Sequence, residues 1–254
     1  MSELVRVIRC RGIGENPVGG MCEQVTRRLS RRFESRECGW GAEYGPVPHV
    51  GGVSYEKSLA DGRPILLRMI DEAPGCVVLV GFSGGADLVS MVADEIGAGL
   101  HPRLSLSGVA LIADPSNPQE HSGSTQWGVA GSRHIRRSTD NYFPVWRAND
   151  PNDPIPLCDA DSPLRWLADS TAGLTLRGGW TRSTYTRLAA KQMQQVVVNW
   201  NDVRGVGAQF ARARFQLDGY LRRGDHVSYA RRVEPGTGGT WTDNLAAKIE
   251  AGVR

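Results

Sequence analysis

The chain is short of several things, and each shortage excludes something. No apolar run approaches the roughly 18–20 residues that a membrane-spanning helix needs. No basic segment followed by an apolar one opens the chain. Leu4-Val5-Arg6-Val7-Ile8 reads directly as a strand, so a protein made in the cytoplasm without a signal peptide is expected. The five cysteines (Cys10, Cys22, Cys38, Cys76, Cys158) are odd in number and nowhere spaced C-x-x-C. That argues against a metal site and against a complete disulfide framework, and buried free thiols are expected of Cys10 and Cys76. Lysine is scarce, with Lys57, Lys191 and Lys248 only, so the positive charge is nearly all arginine. Net charge is a mild +3, and the pairs Arg27-Arg28, Arg31-Arg32 and Arg136-Arg137 read as solvated faces; no nucleic-acid partner is expected. The first strand runs into Arg11-Gly12-Ile13-Gly14-Glu15-Asn16, but Pro17 stands where a dinucleotide fingerprint has its third glycine. NAD is discounted, and no cofactor is expected.

What is present centres on Cys76-Val77-Val78-Leu79-Val80-Gly81-Phe82-Ser83-Gly84-Gly85-Ala86. A β-branched apolar run reads as a strand buried on both faces. It ends in Gly-x-Ser-x-Gly, and Leu88, Val89, Val92 and Ile96 then fall at helical spacing. Strand, G-x-S-x-G and helix in that order are the context of a nucleophile elbow, with Ser83 exposed on a sharp turn. Without Cβ atoms at Gly81 and Gly85, strand and helix can approach closely around it.

At 254 residues the chain suits one large α/β domain spanning 1–254. A helix is expected from Met21 through Val25, Leu29 and Phe33, then a Gly/Pro-rich surface loop from Cys38 to Ser54 near the sheet's edge. A helix from about Tyr55 to Ile70 follows, which Pro64 must kink or divide. Strands are expected at 104–113 and 143–148, separated by a long polar loop at 115–141. Residues 157–222 show no convincing strand and read as a helical insertion of about sixty residues. In it Leu164–Leu167 suggest a short helix, Leu188, Met193, Val196, Val197 and Trp200 a second, and Val203, Val206, Phe210, Ala213, Leu217 and Tyr220 one face of a third. Those stripes are most simply core contacts. A last amphipathic helix opens with Thr240 and Asp243 in capping-box spacing. Alternating strands and helices give a doubly wound, mainly parallel α/β fold.

A serine hydroxyl needs a base, an acid to orient that base, and donors for the oxyanion. In α/β-hydrolases the order is serine, acid, histidine. Among His101, His121, His134 and His226, only His226 follows the last strand; the others, with His49, read as loop residues. Asp114, Asp150 and Asp153 all end strands. Position disfavours Asp114, and spacing does not separate Asp150 from Asp153. The oxyanion donors expected are the Gly84 amide and one from Gly12-Ile13-Gly14.

Arg-Gly-x-Gly-Glu after the first strand, Gly-Phe-Ser-Gly-Gly at the elbow, Asp-Pro-Ile and a late His-x-x-Tyr together resemble the cutinase superfamily. Tyr44-Gly45-Pro46-Val47, Gly51-Gly52-Val53-Ser54-Tyr55 and Asp161-Ser162-Pro163-Leu164-Arg165 resemble, more narrowly, the lysin B family of actinobacteriophage mycolylarabinogalactan esterases. The resemblance implies an α/β-hydrolase fold with a helical insertion between acid and histidine. It implies Ser83 as nucleophile, Asp153 as acid, His226 as base, and the Ile13 and Gly84 amides as oxyanion donors. It further implies a lipid substrate, the ester joining mycolic acids to arabinogalactan, met at the host envelope during lysis. A general cutinase-like esterase or lipase is the alternative, and a degenerate hydrolase serving as a binding module the non-enzymatic one.

Overall fold

The computed structural model describes residues 4–119, 124–131, 143–175, 179–180, 198 and 201–253. Its frame is a five-stranded parallel sheet built from β1 (Val5–Cys10), β2 (Phe33–Glu37), β3 (Cys76–Phe82), β4 (Gly108–Ile112) and, after the two-residue β5 (Gln126–Trp127), β6 (Val145–Ala148). The order is β2-β1-β3-β4-β6. Registers place Cys10 beside Gly81, Phe82 beside Ile112 and Ile112 beside Ala148, so three strands end level. β5 pairs with β7 (Cys158–Asp159), and β8 (Leu174–Thr175) pairs with β9 (Gly179–Trp180).

Apolar strands buried on both faces need a layer on each side. On one face α2 (Tyr55–Glu72) and α3 (Gly84–Gly97) bring Leu66, Ile70, Leu88 and Val92 onto Ile8, Leu79, Val109 and Leu111. On the other, α1 (Met21–Thr26) and the C-terminal helix, Trp241–Gly252, bring Val25, Leu245 and Ile249 onto Val7, Val78, Val80 and Ile112. From β1 the chain steps outward to β2, then crosses to β3 and continues the other way. The switch point therefore lies between β1 and β3, at whose carboxyl ends such sheets form a crevice.

Several expectations need correcting. The helix begun at Met21 stops at Thr26, and Phe33 opens strand β2 instead. β2 reads Phe-Glu-Ser-Arg-Glu and carries no buried run, because it is an edge strand; ladder bonds to β1 and the Arg6–Glu34 and Arg11–Glu37 ion pairs hold it. Pro64 does not divide α2, which runs unbroken with Pro64 on its exposed face, where the carbonyl freed by the missing N–H can reach water. The 157–222 region holds short strand pairs beside α4 (Pro163–Thr171) and α5 (Val203–Asp218). The apolar stripe of α5 is not a core seam: Gln209 and Ala213 are buried, while Val203 is 76% and Phe210 47% exposed. Polar clamps seat the helix instead, Gln209 Nε2 donating to Asp161 O and Arg212 pairing with Asp161 at 3.0 Å. The expected helix around Leu188–Trp200 lies outside the described residues, as do His121 and His134. The stretch expected as a long loop at 115–141 carries β5, and the loop from Cys38 to Ser54 is not all surface, since Cys38, Trp40, Ala42 and Ser54 are buried. The capping box of Thr240 and Asp243 opens the last helix, α6, as expected.

Candidate active site

Ser83 stands between β3 and α3 with φ 53° and ψ −123°, a backbone conformation that side chains with a Cβ avoid. The surroundings hold it there. Ser83 N donates to Ile112 O of the neighbouring strand at 2.9 Å, and Ala86 N and Asp87 N donate to Ser83 O at 2.9 and 3.1 Å. A Cβ on Gly85 would lie 2.1 Å from Cys10 O, and one on Gly81 2.6 Å from Ala86 Cα, so neither position tolerates a side chain. Strand and helix are in backbone contact around the turn, and the hydroxyl is pushed out over the carboxyl edge of the sheet.

His226 reaches that hydroxyl from a 3₁₀ turn, Asp225–Val227, after α5 and a π-helical turn, Gly219–Arg223. Its Nε2 lies 2.8 Å from Ser83 Oγ, and its Nδ1 lies 2.7 Å from Asp153 Oδ2. A carboxylate only accepts, so Nδ1 carries the proton and Nε2 faces the serine as acceptor. The ring is 6% exposed, stacked on Phe82 at 4.9 Å and covered by Tyr220 at 5.0 Å. Burial, and secondarily Asp153, push the Tyr220 hydroxyl above its ordinary range, so it stays neutral.

Asp153 is fully buried in the turn after β6. Its Oδ1 accepts from Ile155 N at 3.0 Å; its Oδ2 accepts from Tyr229 OH at 2.8 Å as well as from His226. Asp150 occupies the same kind of turn, with Asn152 N donating to its Oδ1 at 2.9 Å. Its other oxygen meets Arg232 instead of an imidazole. Arg232 also donates to Asp225 Oδ1 at 2.7 Å, tying the acid-bearing loop to the residue before His226. Asp114 is turned away, accepting from Ser90 Oγ at 2.8 Å and Ser116 N at 2.9 Å. Its neighbour Asp87 takes Tyr55 OH at 2.6 Å. Burial first, and Asp87 second, push the Asp114 carboxyl up to about 6, against the pull of the Ser90 and Ser116 donors and Arg147. His101 pairs with Glu95 beyond the far end of α3, and His49 is exposed in its loop.

Gly84 opens α3, and Ile13 follows β1 across the switch point. The two touch: a Cβ on Gly84 would lie 2.8 Å from the Ile13 side chain. Among the described residues neither Ile13 N–H nor Gly84 N–H is donated to another group. The described residues hold no His/Cys/Asp/Glu cluster suited to a metal. All five thiols are free, and burial pushes Cys10, Cys22 and Cys158 up. No helix among the described residues is long and apolar enough to cross a membrane.

No family model matches the chain, and no curated protein does. Among solved structures, lysin B from mycobacteriophage D29 superposes with a TM-score of 0.58 at 14% identity, over 97% of this chain and 98% of that one. The chain has the fold of lysin B, a mainly parallel α/β-hydrolase architecture. An acetylxylan esterase (TM-score 0.45, 17% identity, 77% and 100% coverage) and a cutinase-like protein from Cryptococcus sp. (0.43, 14%, 85% and 94%) match less well.

Several contributors carried no role in the sequence reading: Tyr229, Arg232, Asp225, Tyr220 and the Asp87–Ser116 pair, in which Ser116 Oγ donates to Asp87 Oδ1. Tyr229 had the best local signal, three residues after His226. Asp225 and Tyr220 have partners within seven residues but no motif that marks them, and Arg232 and the Asp87–Ser116 pair act across 82 and 29 positions.

Proposed function

We propose that the protein is a serine esterase in which Ser83 attacks the ester carbonyl, His226 takes its proton and Asp153 holds the imidazole tautomer. The Ile13 and Gly84 amides receive the oxyanion. His226 then protonates the leaving alcohol, and a water activated by the same Nε2 hydrolyses the acyl-enzyme. The observation that carries this reading is the continuous run from Ser83 Oγ through His226 to Asp153 Oδ2, at 2.8 and 2.7 Å, on an elbow with positive φ.

The substrate we propose is the mycolate ester of arabinogalactan, cleaved at the host envelope during phage lysis. The motifs shared with the lysin B family support it, as does a match to lysin B over nearly the whole of both chains. Incubation with purified mycolylated arabinogalactan should release free mycolic acid, and Ser83→Ala should lower turnover by roughly 10⁴–10⁶-fold with the fold intact. Near-wild-type turnover by Ser83→Ala would remove the mechanism. Turnover confined to short soluble esters would assign the protein to general cutinase-like esterases instead.

A further inference from the structure

The turn after β1 offers three consecutive amides, and two are already committed. Gly12 N donates to Glu15 Oε2 at 2.8 Å, and Gly14 N donates to Ala42 O at 3.0 Å. Ile13 N, between them, keeps its hydrogen for a ligand. The tie at Gly12 is reciprocal, since Glu15 N donates back to Gly12 O at 3.2 Å. The second oxygen of the same carboxylate, Oε1, accepts from Met21 N at 3.0 Å, at the start of α1. Glu15 thus bolts the turn to the helix that follows it. From the sheet side, a Cβ on Gly12 would lie 2.7 Å from the Phe82 ring, and the backbone before it is in contact with Gly85. The turn is held from both sides, with Ile13 resting on Gly84.

We propose that Glu15 is a positioning residue of the oxyanion site: its carboxylate occupies the flanking amide and fixes the turn, so that Ile13 N–H remains the free donor beside Gly84 N–H. The inference rests on the esterase reading. An oxyanion donor works only at hydrogen-bond distance from where charge develops, and a misplacement of about 1 Å costs on the order of 10²-fold. Removing Glu15 would let Gly12 N seek another acceptor and the turn relax, with substrate binding elsewhere little changed.

The test compares an activated ester with its thionoester, whose larger and weakly accepting sulfur draws little from oxyanion donors. Glu15→Ala should lower kcat on the oxoester by roughly 10–100-fold with KM within about threefold, and should shrink the oxo/thiono ratio of kcat/KM by about tenfold. Glu15→Gln, which keeps one accepting oxygen, should fall between. Glu23→Ala is the control, because Glu23 takes Gly19 N at 2.6 Å and pairs with Arg27 and with Arg9 of β1 but makes no bond to Gly12, Ile13 or Gly14; it should leave the ratio unchanged. Equal losses on both esters, with the ratio unmoved, would show a merely structural role and overturn the proposal. Should Glu15→Ala fail to fold by circular dichroism, the Glu15→Gln ratio decides. Absence of Ser83-dependent turnover in the wild-type protein would remove the esterase reading and this role with it, an outcome visible before any Glu15 variant is made.

Discussion

Asp87, in the first turn of α3, and Asp114, after β4, are buried side by side, and that burial, with their proximity, has a thermodynamic cost. An unfolded aspartate titrates near 3.9, whereas Asp114 in the folded protein is pushed up to about 6. Between those values the native state binds more protons than the unfolded one. Stability contributed by this group is therefore complete below about pH 4 and lost as pH rises through 6, by on the order of 3 kcal/mol. Urea midpoints measured from pH 4 to 7 should fall in the wild type and run flatter in Asp114→Asn. Parallel curves would mean that this carboxyl does not titrate in that window. At this scale the sequence was partly legible. Ser83 could be read because the glycines its turn demands are adjacent to it. Asp150 and Asp153 could not be separated by spacing, because both sit in turns closed by the amide two residues on. What distinguishes them is the second oxygen, which meets Arg232 in one case and His226 in the other, more than seventy positions away.

Among the elements, the start of α3 packs backbone to backbone against the end of β1. Gly85 lies against the carbonyls of Cys10 and Arg11, at distances where no Cβ fits and no flexible side chain can yield. Gly85→Ala should destabilise the protein by more than about 4 kcal/mol, or leave none folded, judged by circular dichroism and urea unfolding. A folded variant within about 1 kcal/mol of wild type would contradict this packing. Elements with buried runs, β1, β3 and β4, were readable from sequence, as was α6 from its cap. β2 was not, because an edge strand clothed in charge carries neither the alternation nor the apolar run by which strands are recognised. The outward stripe of α5 misled for the converse reason: helical period shows that a face is apolar, not that anything covers it.

Across the whole molecule, a buried cation helps attach the segment between Asp153 and His226. Arg165 of α4 donates to Gly128 O at 2.7 Å, Asp159 O at 2.8 Å and Trp127 O at 3.1 Å, and also to Cys158 O, with its guanidinium over the Trp127 ring. The strands it bridges, β5 and β7, flank the acid turn, since Val129 N donates to Ile155 O at 2.8 Å. Arg165→Met keeps the apolar stem but leaves those carbonyls without their donor. A loss of about 3–5 kcal/mol is expected in chemical denaturation, with turnover falling as the Asp153 loop loosens. Stability within about 1 kcal/mol of wild type would show that the bridge is not needed.

His226 is stacked on Phe82, with the tilted Tyr220 ring 5.0 Å away, and its Nδ1 is bonded to Asp153. A ring packed and bonded in this way presents one nitrogen, Nε2, to Ser83. In the reaction proposed above, the proton drawn from Ser83 and the proton taken later from water would pass through that same edge, one after the other. The second nucleophile would then come to the position that the leaving alcohol vacates. On that proposal a small alcohol held there would compete with water, and the protein would exchange esters as well as cut them.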